Sequence, residues 1–142
     1  MAGDVARAEV EIDAGQDAVW AALTGPATVA DWMMGAEVST DWQVGSPITW
    51  RGEMDGRAFE DRGEVLEVDA PNRLSVTHYS PLMGRPDSPE NYHTIVYTLS
   101  GGDGPTTLAL TQDGNDSAEQ AEQFSTTWQG MLESLKSVVE SG

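Results

Sequence analysis

The chain has 142 residues and no cysteine, so it is long enough for one domain with its own core, while disulfides, thiolate metal sites and a cysteine nucleophile are excluded. Its formal net charge is −17, and its seven Lys and Arg are scattered, which argues against nucleic acid and against anionic membrane surfaces as partners. The start lacks the basic and apolar regions of a signal peptide, and the longest apolar run, Ala18 to Leu23, is too short to span a membrane, so a cytoplasmic location is expected.

From Val5 to Asp13, Ala8, Val10 and Ile12 alternate with Glu9, Glu11 and Asp13, the period-two pattern of a half-buried strand. Gln16 to Thr24 reads as a short helix with Val19, Trp20 and Leu23 on one side, and Asp13 with Gln16 is a candidate capping pair. Gly25-Pro26 ends that helix and starts a second, Ala27 to Met34, whose apolar face is Val29, Trp32 and Met33. The two should form a V. Ala36 to Thr40 is a weak strand. Ile48 to Met54 alternates again, and Asp55-Gly56 is a hairpin turn into the long strand Ala58 to Val68. Ala70-Pro71-Asn72 then turns the chain into Leu74 to Tyr79. Ser80 to Asn91 carries three prolines and is a polar loop. Tyr92 to Ser100 and Thr106 to Gln112 are strands joined by a glycine-rich turn.

The last stretch, Ser117 to Glu140, reads as one long helix. Phe124, Trp128, Met131, Leu135 and Val138 recur at helical spacing and form an apolar stripe. Asp116-Ser117 supplies the N-cap, with Glu119 and Gln120 placed for a capping box. Lys136, the only lysine, sits in the last turns, where a cation suits the helix dipole. Strands joined by turns pair antiparallel, a twisted sheet of about seven strands curves, and its concave face needs a cover. The long helix is that cover. The expected fold class is α+β, a single domain over residues 1–142.

Glu11-Ile12-Asp13-Ala14, Asp17-Ala18-Val19-Trp20 and Asp31-Trp32 resemble the opening of the single-domain proteins related to the activator of heat-shock-protein-90 ATPase. Gly63 to Pro71 with Arg73-Leu74 is similar to their central hairpin, and Thr107 to Thr111 to their last strand. Trp128, Leu132, Leu135 and Lys136 match the pattern of their final helix. The family belongs to the START-like (SRPBCC) superfamily. That resemblance implies a helix-grip fold: a curved seven-stranded antiparallel sheet around the C-terminal helix, two short helices after the first strand, and often an apolar cavity. It does not imply a reaction, because the superfamily holds lipid carriers, polyketide cyclases, oxygenase domains and co-chaperones. The sequence departs from the family pattern at His78, where Trp is common, and at Gln112, where His is frequent.

Catalytic motifs are absent: there is no nucleophile elbow, phosphate loop or zinc-protease pair. Asp113 to Phe124 begins like a calcium loop, but Ala118 and Phe124 stand where Gly and Glu are required. No metal site and no cofactor is expected. His78 alternates in phase with Leu74 and Val76 and should face the concave interior, as a core histidine or as a polar group in a pocket. Glu64 is its partner if the register sets the two opposite; a register one residue different places Val65 there, and the family's Gly-x-Val pattern favours Val65 inward. His93 is read as exposed. Trp32, Met33, Trp50, Met54, Tyr97, Phe124, Trp128 and Met131 converge between sheet, V and long helix, with His78, Tyr97 and Gln112 as polar anchors. Phe124 and Trp128 are the helix residues expected to touch a ligand, and Leu135 and Val138 are expected to be plain core.

The leading functional expectation is therefore non-catalytic binding of an apolar or aromatic, lipid- or polyketide-like small molecule in a central cavity. The alternatives are a cyclase- or dehydratase-like cavity enzyme using His78 or Tyr97, and a chaperone-associated interaction module. A homodimer is compatible with the sequence.

Overall fold

The structure, a computed structural model, describes residues 4–25, 32, 36–54, 56–80, 86–115 and 117–141, with the side chains of Met54 and Pro89 outside the description. In β1 (Asp4–Ile12), Ala6, Ala8 and Ile12 are buried while Arg7, Glu9 and Glu11 are exposed, as the alternation requires. The helix α1 (Gln16–Thr24) follows, then β2 (Glu37–Ser39), β3 (Pro47–Met54), β4 (Arg57–Asp69), β5 (Arg73–His78), β6 (His93–Ser100), β7 (Thr106–Asn115) and the long helix α2 (Ala118–Ser141). The strands form one seven-stranded sheet in the order β1-β7-β6-β5-β4-β3-β2, every pair antiparallel. This is the α+β helix-grip fold. The predicted second helix, Ala27 to Met34, lies outside the described residues except for Trp32, and so does the middle of the Ser80 to Asn91 loop.

The β4–β5 hairpin carries a bulge that decides what the concave face holds. Near the turn, Val68 faces Leu74 and Glu67 faces Ser75; past Leu66 the register slips by one and Val65 faces Val76. Leu66, the extra residue, is exposed. Val65 is fully buried and Glu64 points outward, its backbone N–H bonded to Thr77 Oγ1 at 2.8 Å. The bridge between Arg62 and Tyr79 continues the shifted register, so Gly63 lies opposite His78. A Cβ at Gly63 would stand 1.8 Å from the Thr77 carbonyl oxygen, so only glycine lets the strands approach this closely.

The buried line of α2 is Ala121, Trp128, Leu132 and Leu135, with Phe124, Met131 and Val139 half-buried beside it. The stripe is thus rotated from the predicted one: Leu132 joins it, and Val139 rather than Val138 packs on the core. Ser117 caps the helix, its Oγ accepting from Gln120 N–H at 3.1 Å. The rotation follows from where the helix lies. It runs along the free edge of β1, and its polar side chains bond that edge: Arg7 N–H to Ser125 Oγ, Glu9 N–H and C=O to the Gln129 amide, Asp13 N–H to Glu140. Lys136 closes the row, donating to the Glu11 carbonyl at 2.9 Å and to Glu140 at 2.6 Å. The Asp13 N–H first, and Lys136 second, hold the Glu140 carboxyl below the usual carboxylate range.

At the other end, Gln16 ties three segments together. Its amide donates to Pro71 O, Asn72 Oδ1 and Leu99 O and accepts from Gly102 N–H at 2.7 Å. The predicted capping pair with Asp13 therefore does not form; Gly15 is the N-cap and offers no side chain.

Candidate functional site

An apolar cavity of about 20 Å³ lies where the concave face meets α1. The helix contributes Leu23, β2 contributes Val38, β3 contributes Ile48 and Trp50, β5 contributes Leu74 and Val76, and β6 contributes Tyr97. Trp32 and Trp42 complete the lining. Trp32 is anchored by its indole N–H, which donates to Ala22 O at 3.1 Å. Trp42 sits between β2 and β3 at a φ of 58°, in the left-handed region where a bulky residue is strained. In this state the space holds about one water. Two larger depressions, about 340 and 380 Å³, lie open on the surface beside Gln16 and beside Gln129.

The polar group on the cavity wall is the Tyr97 hydroxyl, which has no hydrogen-bond partner among the described residues. Burial pushes the Tyr97 phenol well above the usual tyrosine range. Its ring meets Trp128 edge-on, with centroids 6.3 Å apart. Trp128 in turn donates its indole N–H to Gln112 Oε1, and both residues are buried. Gln112 and Trp128 thus satisfy each other beneath the helix.

Beyond Trp50 lies a second polar feature. His78 Nε2 stands 2.9 Å from Asp61 Oδ2, and the imidazole meets the Trp50 ring at 4.9 Å between centroids. Asp61 is opposite Trp50 in the β3–β4 register. Asp61 Oδ1 and His78 Nδ1 are both buried without a hydrogen-bond partner among the described residues. Each such group costs about 1–3 kcal/mol relative to a satisfied one.

Of the residues expected from sequence, Trp32, Trp50 and Tyr97 line the cavity, and His78 stands one ring behind its wall. Gln112, Phe124, Trp128 and Met131 lie elsewhere in the core, so α2 contributes no lining residue. Phe124 faces the ring of His93 at 5.9 Å. His93 is buried, not exposed as expected, because its Nδ1–H reaches the Asp113 carbonyl at 2.6 Å on the neighbouring strand. Met33 and the Met54 side chain lie outside the described residues. Leu23, Val38, Trp42, Ile48, Leu74 and Val76 also line the cavity, and Asp61 faces His78; none of these is among the site residues expected from sequence. Asp61 had a signal, since it shares its phase with Val65.

Among the described residues no three His, Asp or Glu side chains converge as metal ligands, and no helix is long and apolar enough to cross a membrane.

The fold and sequence have relatives among solved structures. The solution structure of ChR145 from Cytophaga hutchinsonii is 37% identical, with a TM-score of 0.85 over 99% of this chain and 97% of that one. DynU16, a protein of the dynemicin biosynthetic locus, is 25% identical, with a TM-score of 0.80 over 98% of this chain and 48% of its own. Aha1 from Colwellia psychrerythraea, whose solution structure is a dimer, is 20% identical, with a TM-score of 0.72 over 96% of each chain. No curated protein matches the chain. The profile described as Activator of Hsp90 ATPase homolog 1-like protein matches residues 13–140, and the chain belongs to that family, within the START-like superfamily.

Proposed function

We propose that the protein binds an apolar or aromatic small molecule between the concave face and α1, without catalysing a reaction on it. The observation that carries this reading is the cavity: nine apolar or aromatic side chains around a space of about 20 Å³, one of them a tyrosine whose hydroxyl has no partner among the described residues. Ligand pockets for drug-sized molecules measure about 300–1,000 Å³, so a ligand enters by moving the wall. Trp42 is the side chain best placed to move, because its left-handed backbone costs about 1–3 kcal/mol and its ring is only half-buried. The likeness to a protein of a biosynthetic locus supports a small molecule rather than a polymer as partner.

Native mass spectrometry of the purified protein against lipids, polyketides and polycyclic aromatics tests the proposal; retention of one class supports it, and none retained across the panel removes it. Trp42→Gly should also speed the association of an aromatic probe in stopped-flow fluorescence. An unchanged rate takes Trp42 out of the entry path.

The Asp61–His78 contact favours one second reading, an enzyme of the cyclase or dehydratase kind with His78 moving a proton. Chemical change in a retained ligand, lost on His78→Phe, distinguishes it from simple binding.

A further inference from the structure

With Asp61 as the carboxylate and the imidazole neutral, the Asp61–His78 pair presents acceptors and no donor. An ionised carboxylate only accepts, so the imidazole proton facing Asp61 Oδ2 is on Nε2. In the neutral ring this leaves Nδ1 a bare acceptor, and Asp61 Oδ1 is another; both are buried with no partner among the described residues. Their demand is met by an O–H group. It is not met by a carboxylate or phosphate, which brings acceptors to acceptors in a chain of net charge −17. The pair is also coupled to the cavity. The Trp50 ring lines the cavity on one side and stands edge-on to His78 at 4.9 Å, and Val76 of the lining is two residues before His78 on the same face of β5.

We infer that Asp61 and His78 are the polar subsite of this pocket, and that its ligand is an aromatic compound bearing a hydroxyl whose proton is donated to them. The inference rests on the pocket reading above and adds the ligand's chemistry. The ring lies among Trp32, Trp42 and Trp50, and the hydroxyl reaches past Trp50 to Asp61 Oδ1, while the Nε2–H of His78 holds the carboxylate in place through its other oxygen. Tyr97 is the competing partner, since its hydroxyl also accepts.

β-Naphthol and its methyl ether share a ring system and an oxygen, and only the naphthol has an O–H. Isothermal calorimetry of each against the wild-type protein should give about tenfold tighter binding of the naphthol, the factor one net hydrogen bond supplies. Asp61→Asn and His78→Phe should each erase that preference, read as the ratio of the two affinities measured in the same variant. Asparagine keeps an acceptor for Nε2–H and turns the other oxygen into a donor, so Asp61→Asn decides alone if His78→Phe does not fold. Equal affinities for the two compounds in the wild type overturn the subsite while the pocket stands. A preference that survives Asp61→Asn, or that disappears on Tyr97→Phe instead, overturns it as well. If neither compound binds, the pocket reading and the subsite fall together.

Discussion

Trp128 and Gln112 meet as donor and acceptor under the long helix, and their removal has unequal costs. Gln112→Leu leaves the indole N–H buried without an acceptor and should cost about 1–3 kcal/mol in urea unfolding. Trp128→Ala empties a large core volume and should cost about 3–5 kcal/mol by the same measurement. A Gln112→Leu protein as stable as wild type would mean that the pair contributes nothing. Tyr97 adds a pH dependence with a definite sign. Burial raises its phenol above the ordinary tyrosine value of about 10, so its contribution to stability is whole below about pH 10 and is lost as pH rises above it. Tyr97→Phe should therefore move the alkaline unfolding midpoint to higher pH; a midpoint shifted downward contradicts this.

At the scale of elements, α2 does two things at once. Its apolar line covers the core, and Ser125, Gln129, Lys136 and Glu140 bond the free edge of β1. An unpaired edge is a template for pairing between chains, and here the helix occupies it. Gln129→Ala should cost about 1 kcal/mol and increase self-association seen by light scattering, because Glu9 N–H and C=O are freed together. The strands and both long elements were legible because alternation and helical periodicity survive in the residues that touch the core. The β4 face was not. Phase counted back from Val68 turns Glu64 inward, and phase counted from Val65 turns Asp61 inward. The bulge at Leu66 ends the first phase before it reaches Glu64 and starts the second at Val65, so Asp61 faces His78 and Glu64 points outward. One extra exposed residue leaves no mark in an otherwise alternating sequence, so the partner of His78 was sought at the wrong position. Trp42 was missed for a related reason: it belongs to no periodic segment, and only the turn at its left-handed backbone folds its ring over the cavity. The buried His93 was hidden because its partner is a backbone carbonyl on β7, which side-chain patterns do not encode.

For the whole molecule, the charge of −17 on 142 residues is a self-repulsion that folding must overcome. Raising salt from low to molar concentration should screen it and raise the melting temperature; a temperature that stays constant places the charges too far apart to matter. The central claim is that the wall around a water-sized space opens to admit an aromatic or apolar molecule. The five tryptophans make this directly measurable, because Trp32, Trp42 and Trp50 line the cavity whereas Trp20 and Trp128 do not. In an NMR titration with β-naphthol, the indole N–H signals of Trp32, Trp42 and Trp50 should shift together and saturate, with those of Trp20 and Trp128 nearly still. Indole signals that stay in place at saturating probe, or shifts confined to Trp20 and Trp128, would contradict it.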